Sequence, residues 1–185
     1  MKELSLNILD IAKNSVKAKA ENILIKLDET DETLTLTIKD DGCGMSEETV
    51  QNVMNPFYTT RTTRNVGLGI PLLKLAAEQT GGSIEITSVC ENDSSDSHGT
   101  TVTAVFFKNH LDFTPLGDLV STILTLIQGH PETDFLFEQT SPNSKVSLDT
   151  RELREVLGDD VSLASYEVIQ WIKEYLNEQY SGYIS

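Results

Sequence analysis

The segment TLTLTIKDDGCGM, residues 33–45, alternates threonine with Leu34, Leu36 and Ile38 and then stops at two aspartates and two glycines. Period-two alternation with β-branched residues predicts a strand over 33–38. In the DxGxG that follows, Gly42 and Gly44 let the backbone turn tightly beside a ligand and leave the Asp40 carboxylate pointing inward. Taken alone, the same residues also read as a plain tight turn.

Upstream, residues 22–27 read as a partner strand, joined through the polar turn DETDET. Before it, Leu4, Ile8, Ile11 and Ser15 recur at helical spacing, with a second, polar stripe of Asn7, Asp10, Asn14 and Lys17. This predicts one helix over 4–20. The polar stripe by itself reads as a solvated face sooner than as a site. Downstream, Ser46 with Glu47 and Glu48 behind it predicts an N-capped helix to about Val53, ended at Asn55-Pro56. A Thr- and Arg-rich loop over 57–66 leads to a helix over 69–80 closed by Gly81-Gly82, then strands over 83–89 and 100–107. The strands imply an α/β two-layer sandwich with helices on one face of a mixed sheet.

The pattern changes after Asn109, which divides the chain into 1–109 and a small α+β region, 110–185. Thr114-Pro115 is expected to open a helix whose Leu116, Leu119, Val120, Ile123, Leu124 and Ile127 share one face up to Gly129. FLFEQ and KVSLD read as a hairpin, Asp149 and Glu152 have capping-box spacing for a short helix ending at Gly158, and a last helix presents Val168, Trp171, Ile172 and Tyr175 on one side.

Fourteen basic against twenty-nine acidic residues give a formal charge of −15, which repels polyanions and argues against nucleic acid or an anionic membrane as partner. An anionic ligand needs a local exception, and the longest acid-free stretch, between Glu48 and Glu78, supplies one with Arg61, Arg64 and Lys74. The start of the chain lacks the apolar run of a signal peptide and no later run has membrane-spanning length, so a cytoplasmic location is expected. Cys43 and Cys90 form no CxxC and are read as reduced.

Gly67-Leu68-Gly69 opens a helix, where bare N–H groups and the positive end of the helix dipole suit a phosphate chain. It is not the dinucleotide fingerprint, because no strand leads into it and Leu72 stands where the third glycine belongs; no GK[ST] P-loop occurs either. A Gly99-Thr100 pair enters the strand over 100–107.

With LDIAKNSVKA, DDGCGM, NPFYTT and GLGI in this order, the sequence over 4–107 resembles the GHKL superfamily, the histidine-kinase-like ATP-binding (HATPase_c) domains of topoisomerases, chaperones, mismatch-repair proteins and sensor kinases. The resemblance implies the Bergerat-type fold with ATP and Mg²⁺ as cofactors. It implies that Asn14 holds Mg²⁺ through its amide oxygen, that Lys17 approaches a phosphate, and that Asp40 accepts a hydrogen bond from the adenine amino group, which favours ATP over GTP. Gly42, Gly44 and the adjoining Met45 would lie beside the base, and Gly67, Leu68 and Gly69 beside the phosphates. Phe57 would anchor a lid on which Arg61 and Arg64 could neutralise the γ-phosphate, and Thr100 would complete the binding site. Asp10, one turn before Asn14, matches the position where ATP-hydrolysing members carry a glutamate that orients or deprotonates water.

Departures are the shorter carboxylate of Asp10, Asn65 in place of the first lid glycine, and Ser97 in place of a glycine of the third box. A sensor kinase further needs a helical hairpin bearing a phosphoacceptor histidine; none is expected ahead of the first helix, and His98, His110 and His130 are expected in or near loops. The expected function is therefore an Mg-dependent ATP-binding protein that hydrolyses ATP or passes the γ-phosphate to a partner protein. The alternatives are an anti-sigma-like serine kinase regulator and a non-catalytic ATP-responsive interaction switch.

Overall fold

The computed structural model describes residues 3–54, 68–92, 97–158 and 160–183. Its elements in chain order are α1 (Leu4–Lys17), β1 (Asn22–Glu29), β2 (Thr33–Asp40), α2 (Glu47–Val53), α3 (Gly69–Gln79), β3 (Ser83–Val89), β4 (Gly99–Phe107), α4 (Leu119–Gly129), β5 (Asp134–Thr140), β6 (Lys145–Asp149), α5 (Thr150–Leu157) and α6 (Tyr166–Ser181). The six strands form one sheet in the order β3-β4-β2-β1-β5-β6. Neighbours are antiparallel except β1 and β5, which run parallel from Asn22 opposite Asp134 to Asp28 opposite Thr140. The sheet is therefore mixed, and residues 110–185 continue it beyond β1 with two strands of their own.

Strict alternation assigns one face of every central strand to the core. Ile23, Ile25 and Leu27 of β1, Leu34, Leu36 and Ile38 of β2, Val102, Ala104 and Phe106 of β4, and Phe135 and Phe137 of β5 are all buried. Apart from the small Ala104, each such side chain contributes roughly 1.5–3 kcal/mol by leaving water. Helix α3 covers β3 and β4, α1 covers β1 and β2, α4 packs between α1 and α6, and α6 lies against β6. The result is the α/β sandwich that the strand pattern implied.

Three local readings are corrected. The first helix ends at Lys17 rather than Ala20, because Lys19 takes φ 61° and turns the chain into β1. The helix expected from Thr114-Pro115 begins only at Leu119. Its predicted first turn is used elsewhere: the carbonyls of Pro115 and Leu116 accept from the amides of Leu4 and Ser5 at 2.9 and 2.8 Å, and Gly117 turns at φ 77°. Those carbonyls satisfy donors that the start of α1 cannot pair within itself, since Glu3 makes no side-chain cap. On α6 the buried face is Val168, Ile169, Ile172 and Leu176, whereas Trp171 and Tyr175 stand half-exposed and stack on one another with ring centroids 5.0 Å apart.

Candidate functional site

A cleft of about 540 Å³ opens between α1, the inner face of β2 and β4, α2 and the start of α3. Ile11, Ile38, Val53, Ile70 and Val102 give it apolar walls, while Asn14, Lys17, Asp40 and Thr100 supply polar groups. The volume and the small set of convergent polar groups are those of a small-molecule site.

Asp40 ends β2 on the core side and is 8% exposed. Its Oδ2 accepts from Ser15 Oγ at 2.5 Å, and its Oδ1 accepts from the amides of Gly42 at 3.0 Å and Thr100 at 3.2 Å. Among the described residues no cation pairs with it. A carboxylate has about four acceptor sites, so the three donors found among the described residues leave one, on Oδ2, in a side chain that lines the cleft. Asp41 does different work: its carboxylate takes the amides of Glu21 and Asn22 at 2.8 and 2.9 Å and the Asn22 side chain at 2.8 Å. Burial pushes its pKa up, and these donors outweigh burial and hold it below the usual aspartate value. The first aspartate faces the cleft and the second pins the turn to β1.

The glycines are required by close approach. A Cβ on Gly44, which sits at φ 68°, would lie 1.9 Å from the carbonyl of Val89. One on Gly99, at φ 133°, would lie 2.0 Å from the carbonyl of Asp40. Ser88 ties this corner together, accepting from the Met45 amide at 2.8 Å, donating to the Gly99 carbonyl at 3.0 Å and meeting Thr100 Oγ1 at 2.8 Å. Met45 lines the cleft beside Gly44.

On α1, Asn14 is partly buried and Lys17 exposed, and both line the cleft. Among the described residues no hydrogen bond engages the Asn14 side chain, so its amide is available. Gly69, buried at the first position of α3, lies against Asp10: a Cβ there would come 3.0 Å from Asp10 Cβ. Asn7, 1% exposed, donates to the Gly69 carbonyl at 3.4 Å. Two points of α1 thus hold the N-terminal end of α3, and Leu68, its N-cap, is left exposed. Of the residues singled out from the sequence, Asp10, Asn14, Lys17, Asp40, Gly42, Gly44, Met45, Leu68, Gly69 and Thr100 come together around or beside this cleft. Phe57, Arg61, Arg64 and Gly67, with Asn65, lie outside the described residues.

The sequence did not point to Ser15 or Ser88 as parts of the site, and it offered Asn7 and Gly99 only within the polar stripe and the Gly99-Thr100 pair, without a role for either. A hydroxyl in the apolar stripe of α1 was the signal for Ser15, because a buried polar group demands a partner. Ser88 carried no signal beyond its place at the end of a strand.

Residues 2–110 match the family model described as histidine kinase-, DNA gyrase B- and HSP90-like ATPase. The sensor protein SrrB of Staphylococcus aureus (strain NCTC 8325) is 34% identical over 93 residues, which make up 48% of this chain and 16% of that protein. The chain thus spans about a sixth of the length of the curated relatives it matches. Among solved structures, the N-terminal domain of a DNA repair protein superposes with a TM-score of 0.56 at 16% identity, covering 86% of this chain and 58% of that one. The Aquifex aeolicus MutL ATPase domain complexed with ADP gives 0.54 at 14% identity, covering 85% and 69%. At these identities the two structures show a shared fold.

Proposed function

Because this chain belongs to the family of histidine kinase-, DNA gyrase B- and HSP90-like ATPases, and so carries an ATP-binding domain, we propose that it binds Mg-ATP in the cleft and hydrolyses it or transfers the γ-phosphate to a partner protein. The observation that carries this reading is Asp40: a buried carboxylate that lines an apolar slot and is held by three donors, which leave it one acceptor site among the described residues. That remaining site fits an exocyclic amino group, and it would reject the carbonyl that guanine presents there.

The donor set fits the rest of the ligand. Asn14 offers an amide oxygen without a hydrogen bond among the described residues, in the cleft that Ile70 of α3 also lines, and Lys17 offers a positive charge at the exposed rim. Among the described residues no three His, Cys, Asp or Glu side chains cluster as metal ligands. Mg²⁺ here would therefore share Asn14 with phosphate and water, as this ion commonly does. When bound, it would neutralise phosphate oxygens and help the terminal phosphorus accept a nucleophile. The first turn of α3, free of acidic residues, gives phosphates an N-terminal helix end. Asp10 lies beside that end through its contact with Gly69. Its carboxylate would orient the attacking water or hydroxyl and take the proton released.

Calorimetry with Mg-ATP and Mg-GTP tests the binding step, with heat expected from ATP and much less from GTP. Asp10→Asn should keep ATP affinity while abolishing phosphate release and transfer from labelled ATP. Turnover unchanged in Asp10→Asn would remove Asp10 from the mechanism, and absence of heat with any adenine nucleotide would remove the whole reading.

A further inference from the structure

A second cavity, of about 460 Å³, lies at the far edge of the sheet from the nucleotide cleft, between β5, β6, α5 and α6. Its apolar surface comes from Leu136, Leu148, Leu153, Val156, Trp171 and Tyr175. Val156 is 85% exposed and Trp171 49% exposed, so large apolar area faces water here. The stacked rings of Trp171 and Tyr175, 11° from parallel, form a flat wall. The strand edge beneath it is closed to strand addition at its centre: the Gln179 side chain accepts from the Ser147 amide at 2.9 Å and donates to the Ser147 carbonyl at 3.0 Å. An occupant must therefore bind through side chains.

Charge decides which occupant. Glu138, Asp149 and Glu152 line the cavity against a single base, Lys145. Lys145 is engaged with Glu138 and Asp149 with Arg151, while Glu152 has no ion pair among the described residues. On α6, Glu167 and Glu174 lie four and three residues from Trp171, and Glu178 three from Tyr175, neighbours on the helix surface. Residues 111–185 contain thirteen acids and four bases. A second copy of so acidic a chain would bring like charge to the groove.

We propose that this groove docks a lysine- or arginine-bearing peptide segment of a partner protein. Its apolar residue would enter between α5 and α6, and its cation would lie over the Trp171–Tyr175 wall within reach of Glu152. A guanidinium or ammonium on an aromatic face, ringed by carboxylates, gains from both the ring and the charges.

Trp171 is the only tryptophan of the chain, so its fluorescence reports on the groove directly. The probe is a positional-scanning library of acetylated hexapeptides, titrated with and without Mg-ATP and alongside spermidine and free arginine amide. Pools with Arg or Lys next to an apolar residue should shift Trp171 emission saturably, and raising salt from about 0.05 to 0.5 M should weaken them. Glu152→Lys and Val156→Arg should each weaken binding at least about tenfold. Glu152→Gln, which leaves the helix start less disturbed, should weaken it by a smaller factor with an unchanged melting temperature. The proposal is overturned if no pool shifts the emission, if acidic or neutral pools bind as well, or if the small cations bind as tightly as peptide. It is also overturned if sedimentation shows the wild type pairing with itself through contacts that Val156→Arg abolishes. None of these outcomes depends on whether the protein turns over ATP.

Discussion

Asp40 is surrounded by hydrogen-bond donors, and that decides what substitution does there. In Asp40→Asn the amide NH₂ must point at Ser15, at the two backbone amides or into the cleft, and each choice loses an acceptor. About 2 kcal/mol of nucleotide affinity should disappear, some thirtyfold, readable by calorimetry. Ser15→Ala removes one donor and should cost about 1–2 kcal/mol of stability with a smaller loss of affinity; equal affinity and stability in both variants would show that the carboxylate does not face the ligand. The sequence pointed to Asp40 because a DxGxG after an alternating strand is a local pattern. It did not point to Ser15, whose partner lies twenty-five residues away, since nothing local distinguishes a hydroxyl bound to Asp40 from one bound to its own helix.

At the scale of elements, legibility follows the range of the interactions that set each boundary. The predicted strand over 83–89 is β3, and Ser46 caps α2 by accepting from the Thr49 amide, because alternation and caps are local. The helix expected from Thr114 fails for the opposite reason: the carbonyls of Pro115 and Leu116 serve α1, more than a hundred residues earlier. Asp118 takes over as the N-cap of α4, accepting from Ser121 N at 2.8 Å and Ser121 Oγ at 2.6 Å. Those two bonds from Ser121 hold its pKa below the usual aspartate value, against a smaller upward push from burial. Asp118→Ala should cost about 1 kcal/mol, measured by denaturant titration at neutral pH. A cap on the Thr114-Pro115 turn would instead leave Asp118→Ala neutral.

Across the whole molecule, one buried carboxylate joins segments that alternation along single strands could not connect. Glu29, at the end of β1, accepts from Gln139 Nε2 of β5 at 2.7 Å, from Lys108 Nζ just after β4 at 3.0 Å and from Tyr183 OH beyond α6 at 2.9 Å. Tyr180 OH closes the ring onto Gln139 Oε1 at 2.5 Å. Burial alone would push the Glu29 pKa up, but the bonds from Gln139, Lys108 and Tyr183 outweigh it and hold the carboxyl below the ordinary glutamate value. A lowered folded-state pKa means stability that is fully present above the unfolded value of about 4.3 and is lost as pH falls through the folded one. Tyr183 sets the other limit: burial, followed by the bond to and charge of Glu29, pushes its pKa up to about 12, so its contribution is complete below about pH 10 and is lost as pH rises through the folded value. Glu29→Gln should cost about 3 kcal/mol at pH 7, because Lys108 loses its buried partner. The melting-temperature gap between wild type and Glu29→Gln should narrow as pH drops below about 4, since protonation removes the same charge from the wild type. A gap that stays constant from pH 7 to pH 3 would mean that the ionised form of Glu29 contributes nothing to holding the carboxy-terminal helix on the sheet.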